Sequence, residues 1–315
     1  MLRRVFDMKI WNDKRYYSLD YYLKQTYGEK VYKISLNGGM TCPNRDGKIG
    51  VGGCIFCSAG GSGDFAAPKS DSVTDQIDKA IDGISHSKSV GSKFIAYFQA
   101  FTNTYAPIEY LEKLFMEAIK HPNIVGLSIA TRPDCLPDDI LALLSELNKI
   151  KPVWVELGLQ TTKESSAEFI RRGYPLSVFD EAVTKLHALG IATIVHLILG
   201  LPHETREDML NSVRYIRSLP IQGIKLQLLH ILRGTDLEKH MGEFHVLTMD
   251  EYVDLVIHCL EILPEHIVVH RITGDGPKDL LLAPQWSSRK REVMNRINQE
   301  LARRNTWQGR LYPSN

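Results

Sequence analysis

A chain of 315 residues, 43% hydrophobic and 24% charged, has the composition of a globular protein with a large buried core rather than of a disordered chain. No apolar run reaches the roughly 18 residues of a membrane span, and the first residues lack the apolar stretch of a secretory signal. Five cysteines, an odd and low count, do not suggest a disulfide framework. A reduced, cytoplasmic setting with no membrane partner is therefore expected.

The net charge of +1 is unevenly distributed along the chain. Residues 1–30 carry a net +3 and residues 287–315 a net +5, which leaves a net −7 on the body between them. Aromatic side chains lie among basic ones in residues 11–27 and 286–312, and such mixtures stack on unpaired bases and hold phosphates. The basic ends hint at a polyanionic partner such as RNA, although ordinary charged helix surfaces explain the same counts.

Short apolar runs rich in β-formers alternate with longer stretches of helical periodicity. The predicted strands are residues 31–36, 93–99, 124–130, 153–159, 191–199, 223–229 and 267–272. This alternation predicts an α/β fold with a parallel sheet covered by helices, either a closed or partly closed barrel or a doubly wound sheet. In both, functional residues lie just beyond the carboxyl ends of the strands. No GxGxxG motif follows the first strand, which weakens a dinucleotide-binding interpretation.

The segment after the first predicted strand is rich in glycine and holds three of the cysteines. Cys42, Cys54 and Cys57 follow the pattern C-x11-C-x2-C. The segment has so little apolar content that hydrophobic packing is not expected to order it. A tight turn brings Cys54 and Cys57 to one metal centre, and Cys42 closes the site from across the loop.

Three thiolates are compatible with two kinds of metal site. A structural zinc takes four ligands, so a distant fourth such as Cys135 or a histidine would be needed. A 4Fe–4S cubane usually takes four thiolates as well, and three leave one iron free for a chelating molecule. S-adenosylmethionine (SAM) binds such an iron through its amino and carboxylate groups. Reduction of the cluster then cleaves SAM to methionine and a 5′-deoxyadenosyl radical.

The cysteine triad, with Phe56 directly before its last member, resembles the radical SAM superfamily. The spacing is longer than the common C-x3-C-x2-C pattern, as in the branch that includes the Elongator catalytic subunit. A bacterial family of this branch, the YtqA/YhcC-like proteins, is similar in the segments LNGGMTCPNRDG, GGCIFCSAGGSGDF, YFQAFTNTYAP, IATRPDCLPDD, WVELGLQT, LILGLPHET and HRITGDGP. The resemblance implies a 4Fe–4S cluster, SAM, and conversion of 5-carboxymethylaminomethyl(-2-thio)uridine at the wobble position of transfer RNA (tRNA) to its 5-aminomethyl form.

The resemblance also implies an architecture and partners. Residues 31–280 are expected to form a partial (β/α)6 TIM-type barrel, between an N-terminal extension of residues 1–30 and a C-terminal helical extension of residues 281–315. The implied partners are the tRNA anticodon loop, bound by the two basic ends beside the barrel mouth, and an electron donor of the flavodoxin or ferredoxin type. Two alternative functions remain. One is radical chemistry on a small molecule, as in porphyrin decarboxylation, and the other is a non-catalytic RNA-binding protein stabilised by a structural metal.

By resemblance, Cys42, Cys54 and Cys57 are the cluster ligands, and the SAM contacts follow the strand ends. The implied SAM contacts are Phe56, Gln99, Asn103, Thr104, Arg132, Asp134, Glu156, Gln160, Arg172, Ile198, Gly200 and Leu201. Arg132 lies near the methionine end of SAM, where a guanidinium fork suits a carboxylate. The chain has no GGE segment after its second strand, where many relatives hold the SAM amino group.

Several of these residues have a purely structural alternative. Arg132 and Asp134 also fit a salt bridge that orders their loop. Glu156 lies in a strand expected to be buried, so a ligand or a paired base has to satisfy its carboxylate. No acid–base pair is evident, and the candidate catalytic residues are His196, Arg271 and Asp275. The first also fits a core histidine, and the other two also fit the ordering of a glycine-rich turn.

Anaerobically reconstituted protein should hold about four irons and four sulfides per chain, as a cubane requires. Replacing Cys42, Cys54 or Cys57 with Ala should abolish this, as measured by iron and sulfide assays. Cys259, in the helical pattern LVIHCLEIL, is the matched control and should tolerate Ala without loss of iron. Stoichiometric zinc with full folding and no iron uptake would contradict the cluster assignment.

Overall fold

The computed structural model is an α/β fold built around one parallel sheet. It describes residues 8–61, 63, 64, 66, 72–86, 91–274 and 276–313. The strands are β1 Tyr32–Leu36, β2 Phe94–Phe98, β3 Ile124–Thr131, β4 Val153–Gln160, β5 Ala192–Leu199, β6 Gly223–Leu228, β7 Ile231–Leu232, β8 Val268–Arg271 and β9 Leu281–Ala283. The helices are α1 Leu19–Tyr27, α2 Val73–Ser85, α3 Ile108–Lys120, α4 Asp138–Ile150, α5 Glu164–Phe169, α6 Leu176–Ala188, α7 Arg206–Ile216, α8 Met249–Ile262 and α9 Lys290–Arg303.

The main sheet has seven parallel strands in the order β1-β2-β3-β4-β5-β6-β8, with helices at each crossover. Each predicted strand is present, with both ends within one residue of the prediction. Lys33 on β1 and Lys225 on β6 both form ion pairs with Glu156 on β4. Because neighbouring strands lie about 4.8 Å apart, β1 reaches β4 only if the sheet curls. The partial barrel is therefore confirmed, as six strand–helix units followed by a final strand.

The two faces of the curled sheet bury different side chains. The outer face packs against the helices in one large apolar core, in which Leu36, Phe98 and Leu157 are fully buried. The inner face is layered along the strands. Its amino-terminal layer is apolar and includes Ile95 and Trp154, whereas the layers nearer the carboxyl ends carry charged and polar side chains.

The N-terminal extension closes the amino-terminal end of the half-barrel. Leu23 on α1 packs into the apolar inner layer, and the rings of Tyr22 and Trp154 lie 6.1 Å apart. The C-terminal segment meets it there, since the Gln308 N–H donates to the Arg15 carbonyl at 2.9 Å. The expectation that both basic ends flank the mouth is therefore wrong for residues 8–30, which lie roughly 20 Å away at the other end of the strands.

The first part of the C-terminal extension, up to the start of α9, reaches the mouth, where Leu281, Ser287, Ser288 and Lys290 line the central cavity. The helix then runs along α8 towards the closed end. None of the helices in the described ranges combines the length and apolarity needed to cross a membrane.

Candidate active site

The carboxyl ends of the strands open into a cavity of about 780 Å³. Cys42, Cys54 and Cys57 line it as half-buried free thiols. The other predicted site residues that line it are Phe56, Gln99, Arg132, Glu156, Gln160, Arg172, His196, Ile198 and Arg271. The predicted residues that do not line it are Asn103, Thr104, Asp134, Gly200 and Leu201. Asp275 lies outside the described residues.

Apolar packing fixes the cysteine loop, contrary to the expectation from its composition. Ile55 lies between Cys54 and Cys57, is 2% exposed, and packs in a cluster with Ile170. Its N–H donates to the Ile170 carbonyl at 3.3 Å, and its own carbonyl accepts from the Leu237 N–H at 2.8 Å. One buried side chain thus anchors the turn whose two flanking cysteines face the cavity.

Polar side chains hold the same loop from the other side. The Arg45 guanidinium donates to the Cys57 carbonyl at 3.1 Å and to the Ser58 carbonyl. Asn44 donates to the Arg171 carbonyl at 2.5 Å and lies 3.5 Å from the Cys54 sulfur. Burial raises the pKa of the Cys54 thiol to about 12. A thiolate at this position therefore needs a positive centre such as a metal beside it.

The arrangement of the sulfurs is compatible with an iron–sulfur cubane. Among the described residues, no three His, Cys, Asp or Glu side chains converge on a single ion. In a cubane each thiolate binds a different iron, so the sulfurs need not converge. Cys135, the candidate fourth zinc ligand, is 7% exposed and does not line this cavity. Cys259 is fully buried on α8, as its helical pattern predicts.

Two of the arginines that line the cavity already bind protein groups. The Arg132 fork donates to both Asp134 oxygens at 2.9 and 2.8 Å, and its remaining nitrogen donates to the Arg172 carbonyl at 2.9 Å. Arg172 is 2% exposed and donates to the Thr161 carbonyl at 2.7 Å and to both Glu164 oxygens. The structural salt bridge is thus present, and the SAM contacts of these arginines stay predictions.

The predicted SAM contacts that follow β2 and β4 differ in their surroundings. Asn103 donates to the Ala130 carbonyl at 2.8 Å, and the Thr104 and Thr131 hydroxyls lie 2.6 Å apart, so both residues fasten their loop to β3. Gln160 ends β4 with φ at 69° and lines the cavity. Its buried side-chain oxygen has no hydrogen-bond partner within the described structure. A donor on a bound ligand would satisfy this oxygen, as the predicted role requires.

The carboxylate of Glu156 is fully buried in the middle of β4 and accepts hydrogen bonds from four side chains. One oxygen accepts from Lys33 and from the Ser128 hydroxyl at 2.7 Å. The other accepts from Lys225 and from the His196 ring nitrogen at 2.7 Å. The protein itself therefore satisfies the carboxylate, and His196 is part of this network at the cavity floor.

Burial and charge act against each other in this network. Burial alone would raise the pKa of Glu156, but the Lys225 and Lys33 ammonium groups hold it well below its usual range. Burial lowers the pKa of Lys225 to about 7 and that of His196 to about 4. At neutral pH the floor therefore contains an ionised carboxylate, a neutral imidazole and lysines whose protons are held weakly.

The predicted site residues did not include Lys33, Tyr97 and Lys225. The Lys225 ammonium donates to the Tyr97 hydroxyl at 3.1 Å, and both side chains line the cavity. A signal was present, because each lysine interrupts an apolar strand, in YKISL and GIKLQL. A charged side chain inside a buried parallel strand requires a partner or a ligand.

Family models match most of the chain. The model of the radical SAM superfamily matches residues 42–216, and that of the radical SAM C-terminal domain matches residues 221–303. The chain is 47% identical to the uncharacterized protein YtqA of Bacillus subtilis over 302 residues, which is 95% of this chain and 94% of that protein. It is 35% identical to the protein YhcC of Escherichia coli over 267 residues, covering 84% and 85%.

More distant proteins share part of the sequence or the fold. The chain is 26% identical over 164 residues to a tRNA uridine(34) acetyltransferase of Methanocaldococcus jannaschii, which is 50% of this chain and 30% of that protein. The structure of the archaeal Methanocaldococcus infernus Elp3 with an N-terminal deletion superposes with a TM-score of 0.66 at 16% identity. That match covers 88% of this chain and 64% of the other, and it supports the fold.

Glu156→Gln should destabilise the protein strongly. The amide keeps the shape but leaves Lys33 and Lys225 buried without a counter-charge, which costs about 3–5 kcal/mol. Urea unfolding measures the loss. The control Glu146→Gln changes an exposed ion pair with Lys149 and should stay within about 0.5 kcal/mol of the parent. Equal losses in the two variants would contradict the role of the buried carboxylate.

The loss caused by Glu156→Gln should be larger at about pH 5 than at about pH 8. Lys225 has a pKa of about 7 in the folded state, whereas an unfolded lysine keeps its proton to about 10.4. The unfolded state therefore binds more protons between these values, and the free energy of unfolding rises with pH. Without Glu156 the folded pKa falls further, so the variant begins to gain stability at a lower pH.

Proposed function

Because the chain belongs to the radical SAM superfamily, we propose that it modifies the wobble uridine of tRNA. The proposed reaction converts 5-carboxymethylaminomethyl(-2-thio)uridine to its 5-aminomethyl form in the cytoplasm. Family membership makes the chain an enzyme that uses a 4Fe–4S cluster and SAM. This excludes the alternative of a non-catalytic RNA-binding protein stapled by zinc.

Three thiols and a set of polar side chains would hold the cofactors in the proposed enzyme. Cys42, Cys54 and Cys57 would bind the cluster, and Gln160 would accept a hydrogen bond from SAM with its buried oxygen. One-electron reduction by a flavodoxin or ferredoxin supplies the electron for SAM cleavage and hence the radical that abstracts hydrogen from the substrate. The polar side chains that line the cavity would orient the substrate arm.

The charge of the cavity carries the proposal of an RNA substrate. Among the described residues, two carboxylates line it, from Asp64 and Glu156. The basic side chains that line it are Arg45, Arg132, Arg172, Lys225, Arg271, Lys278 and Lys290. Arg132 and Arg172 are paired with carboxylates behind the lining, so the excess positive charge comes from the other five. A concentration of positive charge at one opening attracts a polyanion even when the net charge of the protein is near zero. The partial match to a tRNA uridine(34) acetyltransferase adds support.

Deleting the gene should change the nucleosides of tRNA. Mass spectrometry of digested tRNA should show more 5-carboxymethylaminomethyl(-2-thio)uridine and less of the 5-aminomethyl form, because the converting step is lost. The parent gene should restore the pattern, whereas a Cys57→Ala gene should not. Identical nucleosides in the deletion and parent strains would favour the small-molecule alternative instead.

Replacing Arg289, Lys290 and Arg291 together with Ala should weaken tRNA binding. These residues lie at the start of α9, beside the mouth, so each lost phosphate contact should lower the slope of log affinity against log salt by roughly one. Filter binding over a salt series measures this. The control Arg303→Ala with Arg310→Ala removes cations from the far end of α9, about 20 Å away, and should leave the slope unchanged. Equal effects of both variants would contradict binding at the mouth.

A further inference from the structure

The floor of the central cavity carries more positive than negative charge. Lys33 and Lys225 share the single carboxylate of Glu156, and Arg271 adjoins them. All four hydrogen bonds that Glu156 accepts come from Lys33, Lys225, Ser128 and His196. Among the described residues of the floor, one carboxylate thus balances two buried ammonium groups, which leaves a net positive charge on this part of the chain when both lysines are protonated.

Lys225 presents this charge to the cavity. Its side chain is 5% exposed and lines the cavity, while its ammonium donates to Glu156 and to the Tyr97 hydroxyl. An ammonium has three donors, so within the described structure the third N–H is left for the cavity. Lys225 and Arg271 are register partners on neighbouring strands, so their Cα atoms lie about 5 Å apart. Because both side chains also line the cavity, the two cations can converge on one anionic group.

The position of the floor selects the kind of anion. Lys225 is the third residue of β6, so about 10 Å of strand separates it from the mouth. A backbone phosphate carries a sugar on each side and cannot reach this depth without bringing the chain along. A single arm that ends in a carboxylate can reach it. The lowered pKa of Lys225 fits this role, because a bound anion would favour the protonated amine.

We propose that Lys225, with Arg271 beside it, binds a carboxylate of the substrate at the floor of the cavity. The identity of the arm rests on the proposed function, in which the carboxymethyl group on the wobble uridine carries this carboxylate. The anion subsite itself rests on the charge and geometry of the floor. Lys225 is in this sense a specificity-determining residue that distinguishes an arm with a carboxylate from an arm without one.

The test compares two anticodon stem-loops that differ in one carboxylate. One carries 5-carboxymethylaminomethyluridine at the wobble position, and the other carries 5-methylaminomethyluridine. The reconstituted holoenzyme with SAM and without reductant should bind the first about tenfold more tightly or better, as a charge-assisted hydrogen bond allows. Lys225→Met should bring the ratio of the two affinities close to one. Lys225→Arg should keep most of the preference for the carboxylated stem-loop.

The ratio is insensitive to a general loss of folded protein, which lowers both affinities alike. The control Lys278→Met removes a cation near the mouth and should weaken both stem-loops equally, leaving the ratio unchanged. If Lys225→Met does not fold, Arg271→Met is tested in its place, and the ratio of its affinities for the two stem-loops should also fall. An unchanged ratio in the folded variants overturns the proposal.

A second measurement separates the anion subsite from the proposed function. N-methylglycine should bind the holoenzyme in the millimolar range by calorimetry, dimethylamine should not, and Lys225→Met should abolish the signal. If neither stem-loop binds but this dependence on Lys225 is seen, the proposed function fails and the carboxylate subsite stands. N-methylglycine binding that is unchanged by Lys225→Met overturns the subsite.

Discussion

The buried carboxylate of Glu156 is the point at which the strands of the half-barrel are joined from inside. Lys33 comes from β1, His196 from β5 and Lys225 from β6, and all of them meet this group on β4. An ion pair of this kind is costly to desolvate, so it adds less to stability than its contacts suggest. Its main effect is on geometry: the donors from three other strands reach the carboxylate together only when the sheet has the observed curvature.

The same network divides the interior of the half-barrel along the strands. The apolar layer that includes Ile95 and Trp154 lies on its amino-terminal side, against α1. The cysteine loop lies on its carboxyl-terminal side, anchored by Ile55. The cavity therefore lies between a charged floor and a rim that carries Cys42, Cys54 and Cys57. Each of these three layers is held by a different kind of interaction, so a change in one need not disturb the others.

The sequence predicted the strands well because buried parallel strands are compact runs of β-branched and aliphatic residues between helical patterns. It located the cysteine loop equally well, since the loop must follow a strand end. It did not reveal which inward side chains meet. Lys33 and Glu156 are 123 positions apart, and Lys225 reads as an isolated charge in an apolar strand. Their pairing depends on how far the sheet curls, which no local pattern encodes.

For the predicted SAM contacts too, the sequence placed residues near the site without showing which groups their side chains contact. The motif containing Arg132 and Asp134 fitted both a SAM contact and a salt bridge between the two residues, and the salt bridge is present. Asn103 and Thr104 were placed after the correct strand but point into the loop packing. The position of the N-terminal extension was missed because aromatic and basic residues suit both an RNA contact and a buried cap.

The cap formed by α1 has a consequence for the order of events in catalysis. With the amino-terminal end of the half-barrel covered by Leu23 and Tyr22, the described chain leaves the carboxyl-terminal opening as the route for every molecule that enters or leaves. A macromolecule seated on that opening obstructs the passage of anything beneath it. If the proposed tRNA substrate is that macromolecule, small reactants have to enter before it and depart after it, which is compulsory-order binding.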